Sequence, residues 1–350
     1  MMATTKAGRP VISDEPGRGR RKTPWLPWTG SGTGHGLAPG IVLYLLLGIL
    51  IAYGGDGYVV SIASLGAINV VLAVGFAIVY SQCGQFSFAT FGFYAVGGFT
   101  YAWFAGRMPA ELAMVAAVAV TALLGYVVRL ATVRLNRLYF AIASLAIGAL
   151  LTIVLVNWPA LSGGASGIGP VPVLTFGLVD ETDYAGVFLV AWVLSAVAVT
   201  VGGLLYRSAW ARDLLMVRDL RQIAQNDGIA VRRLELESYT VHAAFTGLAG
   251  VLLADTNKFI SVASFDVSVA LQVLIMVVLG GAGRVIGPVI GAAVITLLPE
   301  LLRGASTWSG VVYGLLMLVV LVALPEGVLG LWDRLKAWLR PRFGGGEVAR

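Results

Sequence analysis

Ten apolar segments, each 15 to 23 residues long, follow one another along this chain and constrain its architecture more than any other feature. About 20 helical residues cross the ~30 Å hydrocarbon layer of a bilayer, so the longer segments can span a membrane. Those of 15 to 17 residues reach only ~23–26 Å, so they either extend further or are partly re-entrant. The segments are Pro39–Tyr53, Tyr58–Tyr80, Phe86–Ala105, Ala110–Leu130, Leu138–Trp158, Ala185–Tyr206, Tyr239–Ala254, Val267–Gly283, Ile286–Leu302 and Ser309–Leu324. They predict an all-α, polytopic transmembrane helical bundle.

The composition argues against a soluble globular protein, since 58% of the residues are hydrophobic and 45 of 350 are glycine. One cysteine, Cys83, and two separated histidines, His35 and His242, exclude a disulfide framework and make a Cys/His metal centre improbable. We therefore expect neither a metal nor a cofactor.

The positions of lysine and arginine predict the orientation, because cytoplasmic loops of membrane proteins are enriched in them. With both termini in the cytoplasm, 21 of the 24 basic residues lie inside. We expect a flexible basic tail over residues 1–38, a permease domain over 39–330 and an amphipathic basic tail over 331–350. Beside so many apolar spans, the net charge of +6 indicates membrane topology rather than nucleic-acid binding.

The segment Arg207–Ser238 interrupts the apolar pattern with eleven charged side chains in 32 residues. Burying them at bilayer depth would cost about 2.5–3.5 kcal/mol each, so the segment must lie in water. The orientation above places it in the cytoplasm.

Within this segment the sequence predicts one short amphipathic helix. Asp213 is a possible N-cap, and Met216, Leu220 and Ile223 follow at i, i+4 and i+7. Gly228 can adopt the positive φ that ends such a helix. The helix either packs on its own membrane domain or docks its apolar ridge in a groove of a separate soluble protein.

The chain contains no phosphate-binding loop of the form G-x-x-x-x-G-K-[ST]. The closest pattern, Gly17–Thr23, lacks the spacing and the preceding strand. There is also no paired-carboxylate or Ser/His/Asp arrangement within a plausible site. We therefore expect a transport protein rather than an enzyme, with any ATP hydrolysis supplied by another subunit.

Four stretches together resemble the LivM-like permease subunits of branched-chain amino acid ABC importers. Gly84–Gly98 is similar to the family's Gly-Gln-x-Ser block, and Leu161–Ile168 to its Thr-Gly-Gly-x-x-Gly-Ile loop. Ile223-Ala224 with Gly228-Ile229 resembles the coupling loop, and Val277–Pro288, continued by Leu297–Leu302, resembles the late glycine-rich segment.

The resemblance implies a permease subunit in the bacterial inner membrane that forms half of a translocation path. Its partners would be a second, homologous permease subunit, two cytoplasmic ATP-binding subunits and an extracytoplasmic solute-binding protein. It makes residues 207–238 a cytoplasmic coupling loop. The candidate ATPase contacts are Leu220, Arg221, Ile223, Ala224, Gly228 and Ile229.

Polar side chains inside the apolar segments are candidates for the translocation path, because such groups rarely face lipid. They are Asn69, Gln85, Ser87, Thr90 and Gln272. The alternative is that they hydrogen-bond one helix to another.

The glycine-rich blocks Gly84–Gly98 and Gly280–Gly291 also have two interpretations. Small residues let helices approach closely, whereas a broken or re-entrant helix would expose backbone groups that help to bind a zwitterion. Asp255 and Glu300 lie near span ends and are interpreted as interfacial residues.

Three other functions remain open. An ABC permease for urea, short amides or another small solute belongs to the same broad family. An ion-coupled secondary transporter would need charged residues well inside a span, and none is found there. A membrane-embedded enzyme would need a cluster of His, Asp or Glu at one interface, for which two separated histidines are a poor basis.

Overall fold

The computed structural model describes residues 37–177, 183–281, 283–301 and 314. In these ranges the chain is helical, with one isolated antiparallel bridge between Ile168 and Ile260. The α-helices are α1 Leu37–Gly54, α2 Gly57–Ala77, α3 Thr90–Ala105, α4 Ala110–Ala131, α5 Arg137–Val156, α6 Pro159–Ser162, α7 Tyr184–Arg207, α8 Ala209–Asp219, α9 Arg221–Asn226, α10 Val231–Asn257, α11 Val267–Gly280 and α12 Gly287–Leu301.

Five stretches in the described residues are long and apolar enough to cross a membrane. They are Gly57–Gln82, Ala110–Ala131, Arg137–Val156, Tyr184–Arg207 and Val262–Gly280. The predicted all-helical membrane bundle is thereby confirmed as a fold class. The tenth predicted segment, Ser309–Leu324, lies outside the described residues except for Gly314, and both predicted tails lie outside them almost completely.

Helix α10 packs closely against α3 through glycines. A Cβ added to Gly97 would lie 2.5 Å from the Cα of Gly247, and one added to Gly98 would lie 2.9 Å from the carbonyl oxygen of Gly250. Contact at this distance lets dispersion forces hold helices together where lipid offers no hydrophobic driving force. The close-approach interpretation of the first glycine block therefore describes its helical part.

The same block also contains a break between α2 and α3. A π-helix, Ile78–Gln82, follows α2 directly, Gly84 has φ +70°, and α3 begins only at Thr90. The prediction that helix starts at Phe86 was therefore wrong by four residues. Hydrophobicity could not reveal this, because the aromatic residues of the break are as apolar as those of a span. We call residues 83–89 the helix break.

The second glycine block joins α11 to α12 in a similar way. Gly281 and Gly283 have φ of 105° and 113°. A Cβ on Gly291 would overlap the carbonyl of Met276, so the two helices are in backbone contact. Close packing and an interrupted helix thus occur together in both blocks.

The charged segment differs from its prediction in two respects. The N-cap of its first helix is Ser208, whose side chain accepts from the Ala211 N–H, and not Asp213. The predicted single helix is divided into α8 and α9 at Leu220, which has φ −135° and ψ 51°. The segment's last residues start α10, so the predicted span Tyr239–Ala254 is the middle of a 27-residue helix.

Candidate functional site at the charged end of the bundle

Helix α9 ends in a tight glycine turn that fixes the shape of the predicted coupling residues. Gly228 has φ +79°. Its N–H donates to Gln225 O at 3.2 Å, and the Ile229 N–H donates to Ala224 O at 2.9 Å. These two bonds form a Schellman motif, which a glycine at the left-handed position allows without strain.

The predicted coupling residues divide into exposed and anchored groups. Leu220 is 51% exposed and Ile223 is 48% exposed, whereas Ala224 is fully buried. Ile229 is half-buried against the same cluster as Ala224. Of the predicted coupling residues, Leu220 and Ile223 therefore present the most apolar surface outward.

The buried face of α8 and α9 packs on the membrane domain. We call the group beneath it the Cys83 cluster; its buried members are Cys83, Leu214, Val217, Ala224, Val231 and Leu234. Burial raises the pKa of the Cys83 thiol to about 11, so this thiol stays protonated near neutral pH. The charged segment thus packs on its own bundle and, on the other face, leaves an apolar ridge uncovered.

An ion-paired carboxylate connects the charged segment to α4 and α10. Glu235, on α10, lies 2.7 Å from Arg129 Nη2 and 2.5 Å from Arg221 Nη1. The side chains of Arg129 and Glu235 are only 3% and 2% exposed. The Arg129 guanidinium also lies 4.6 Å from the centre of the Phe140 ring. Two cations around one carboxylate offset the cost of burying its charge.

Two further arginines fasten α8 to its surroundings. Arg137, the first residue of α5, donates from Nη2 to Val217 O at 3.0 Å and to Arg218 O at 2.8 Å. These carbonyls lie in the last turn of α8, where no intrahelical donor is available. Arg218 Nη1 in turn donates to Ser81 O, in the π-helix.

Three of the five predicted path residues come together at the helix break. Ser87 Oγ lies 3.1 Å from the Tyr239 hydroxyl, and Thr90 Oγ1 lies 3.3 Å from His242 Nε2. Gln85 is 2% exposed, and its Oε1 has no hydrogen-bond partner among the described residues. Sequence reasoning gave no role to His242, which is fully buried on α10.

The other two path candidates lie elsewhere. Asn69 Nδ2 donates to Thr296 Oγ1 at 2.9 Å and joins α2 to α12, the helix-to-helix alternative named above. Gln272 is partly exposed on α11, and no hydrogen bond joins it to the other four within the described part of the chain. In that part, no group of three or more His, Cys, Asp and Glu side chains could hold a metal ion.

Residues 58–321 match the family described as the branched-chain amino acid transport system / permease component. The chain belongs to this family. The resemblance found in the sequence is thereby confirmed, and the chain is a multi-pass permease subunit of an ABC transporter. The ion-coupled and enzymatic alternatives are set aside.

Two relatives of this family are similar over most of the chain. The high-affinity branched-chain amino acid transport system permease protein LivM of Escherichia coli (strain K12) is 29% identical over 83% of this chain and 74% of its own length. The LivM protein of Salmonella typhimurium is 28% identical over 77% and 69%. A shorter similarity, 28% over 41% of this chain, links it to the autoinducer 2 import system permease protein LsrC of Klebsiella pneumoniae. No solved structure matches the chain.

Proposed function

We propose that this chain is a branched-chain amino acid permease subunit of the bacterial inner membrane, with both termini and the charged segment in the cytoplasm. Leu220 and Ile223 support the part of this proposal that concerns coupling to a cytoplasmic partner. These two half-exposed apolar side chains lie on a segment whose other exposed side chains are mostly charged or polar. A glycine turn fixes the segment, and its buried face packs on the bundle. A preformed apolar ridge of this kind suits the helix-in-groove mode of protein recognition.

The partner that fits this ridge is a cytoplasmic ATP-binding subunit, two of which would serve a pair of homologous permease subunits. A solute-binding protein would deliver substrate on the opposite side. The family and the printed functions of the LivM relatives support these partners and the substrate class. We infer about ten membrane segments, because an even number of crossings leaves both termini on the same side of the membrane.

The docking surface is tested by the double variant Leu220→Asp with Ile223→Asp. A few residues carry most of the binding energy of an interface, and a charge placed at one of them disrupts it strongly. We expect affinity for the ATP-binding subunit to fall at least about tenfold, which corresponds to 1.4 kcal/mol, while the protein still reaches the membrane. Copurification and uptake into proteoliposomes measure the two effects.

Gln222→Asp is the matched control, because it adds a carboxylate to the same short helix at an exposed polar position. Binding and uptake should change little in this variant. Normal ATPase binding by the double variant, or an equal loss in the control, would exclude the ridge as the docking surface.

The substrate class needs a separate test, because the solute-binding protein sets much of the specificity in such systems. Uptake driven by the purified transporter should be observed with leucine, isoleucine and valine. Uptake of urea or short amides instead would assign the chain to the alternative small-solute permeases.

A further inference from the structure

We propose that Arg137 and Arg218 are positioning residues that transmit movement of helices α8 and α9 to the helix break, residues 83–89. The inference rests on the proposed function, in which an ATP-binding subunit moves these two helices. It adds the route by which that movement reaches the polar residues of the bundle. Three kinds of contact support it.

The first contact fixes the end of α8. Arg137 belongs to α5, yet its guanidinium donates to the carbonyls of Val217 and Arg218, at 3.0 and 2.8 Å. The positive charge also stabilises the negative end of the α8 dipole. Helix α8 therefore cannot shift along its axis without pulling on Arg137 or breaking both bonds.

The second contact joins α8 to the break itself. Arg218 donates to the carbonyl of Ser81, two residues before the break starts. A Cβ added to Gly84 would lie 2.8 Å from Arg218 Cγ and 3.5 Å from Arg137 Cζ. The Gly84 backbone therefore packs directly against the Arg218 side chain, while Arg137 Cζ lies at ordinary contact distance beyond it. Displacement of Arg218 displaces the break, and Arg137 acts on it through the carbonyls of α8.

The third contact is the Cys83 cluster. Cys83 is the first residue of the break, and it packs with Leu214, Val217 and Ala224 from α8 and α9. Interiors packed this closely transmit strain instead of absorbing it. The break thus shares a core with the helices that would move.

The far side of the break carries the candidate path residues. Phe88 N donates to Ser144 Oγ on α5 at 2.8 Å, while Ser87 and Thr90 contact Tyr239 and His242 on α10. Gln85 Oε1 is buried without a hydrogen-bond donor. An unpartnered buried acceptor costs free energy in this conformation, and a rearranged break that supplies a donor would recover that cost.

The test uses the complete transporter in proteoliposomes with Arg137→Ala and Arg218→Ala. Arg134→Ala and Arg212→Ala are matched controls, since both arginines are exposed, one between α4 and α5 and the other on α8. In the two test variants we expect the ATP-binding subunits to remain bound and hydrolysis to stay within about twofold of the parent. Uptake should fall at least tenfold, so that the ATP hydrolysed per solute rises by the same factor.

A purely structural role would lower hydrolysis and uptake together and would leave their ratio unchanged. That result, or loss of the ATP-binding subunit, would overturn the inference. The Leu220→Asp/Ile223→Asp variant separates the two proposals. If that variant binds the ATP-binding subunit normally, the docking surface is excluded. A normal ATP-to-solute ratio in the arginine variants excludes only the transmission route.

The lysine variants provide the test if an alanine variant does not reach the membrane. Arg218→Lys keeps one donor for the Ser81 carbonyl and should restore part of the coupling. Arg137→Lys keeps donors for both α8 carbonyls but places them on a shorter and more strongly hydrated group, so it should also restore only part of the coupling. Equal, parental coupling in both lysine variants would also contradict the proposed route.

Discussion

The two ends of helix α10 each bury a carboxylate, but they stabilise it in different ways. Glu235 and Asp255 are twenty residues apart, or about 30 Å along the helix, which is the thickness of a bilayer's hydrocarbon layer. Glu235 is ion-paired with two arginines. Asp255 is fully buried, and its Oδ1 accepts from the Leu174 N–H at 2.6 Å and the Tyr101 hydroxyl at 3.3 Å.

The difference shows how each end is held. At the charged end, Glu235 connects α4, α9 and α10 through opposite charges. At the other end, Asp255 holds the loop before α7 through a backbone amide, and its Oδ2 has no hydrogen-bond partner among the described residues. We infer that the charged end is a tightly fixed unit, whereas the loop at the other end is held by separate, weaker bonds.

Removal of Glu235 is expected to have the largest effect. In Glu235→Ala the Arg129 guanidinium would remain buried without its counter-charge, which typically costs about 3–5 kcal/mol. The thermal unfolding midpoint of the purified protein, together with its level in the membrane, measures this loss.

The same variant should also loosen α9, because Arg221 loses its anchor. Cys83 is the chain's single cysteine, so a maleimide reports on this region alone. Burial raises the pKa of the thiol to about 11, so little of the reactive thiolate forms at pH 8 in the parent. Labelling in Glu235→Ala should be at least several-fold faster, and an unchanged rate would show that Glu235 does not hold α9.

The helical fold could largely be predicted from the lengths of the apolar segments. The interruptions of the backbone between α2 and α3 and within the charged segment could not. Nine of the ten predicted segments overlap helices of the described residues. Five stretches there are long and apolar enough to cross a membrane, where helices satisfy their backbone hydrogen bonds internally. The start of α3 at Thr90 was missed, since a π-helix and a left-handed glycine leave no trace in hydrophobicity. The positive φ of Gly228 was predicted correctly, because a glycine directly after an amphipathic helix commonly ends it in that conformation.

Less of the candidate site could be predicted from the sequence. Met216, Leu220 and Ile223 were predicted to form one ridge, but only Leu220 and Ile223 of these three are exposed. Met216 packs against the Cys83 cluster and Ala224 is buried, because the predicted single helix is divided at Leu220. Asp255 was interpreted as interfacial, and no sequence signal indicated that a loop distant along the chain covers it. Pairings such as Arg137 with α8 involve residues 80 positions apart and have no local signal.

Asp255→Ala is expected to have the second largest effect on stability. It removes the acceptor of the buried Leu174 N–H, and an unsatisfied buried donor costs about 1–3 kcal/mol. Asp255→Asn keeps that acceptor at nearly the same shape and should cost less. If the two variants lower the unfolding midpoint equally, the loop is not held through this amide.

Tyr101→Phe should be milder still. The single hydroxyl proton of Tyr101 is shared between Pro172 O at 2.8 Å and Asp255 Oδ1 at 3.3 Å, so the change removes one donor but keeps the aromatic ring in the core. We expect a loss of about 1 kcal/mol, the usual contribution of one hydrogen bond. Hydrogen exchange at the amides of Val171, Val173 and Leu174 should increase, whereas α8 amides should not respond. A response at α8 would mean that the two ends are coupled.

The smallest effect is expected for the surface pair near Glu235. Arg233 Nε lies 2.7 Å from Glu237 Oε1, one helical turn apart, but the arginine side chain is 80% exposed. Solvent-exposed pairs at this spacing contribute about 0.3–0.5 kcal/mol, because water screens the attraction and ordering two long side chains costs entropy. Arg233→Ala should therefore leave the unfolding midpoint almost unchanged, and added salt should remove even that small difference. A loss approaching that of Glu235→Ala would show that charge density at this end, rather than burial of one carboxylate between two arginines, holds the charged segment on the bundle.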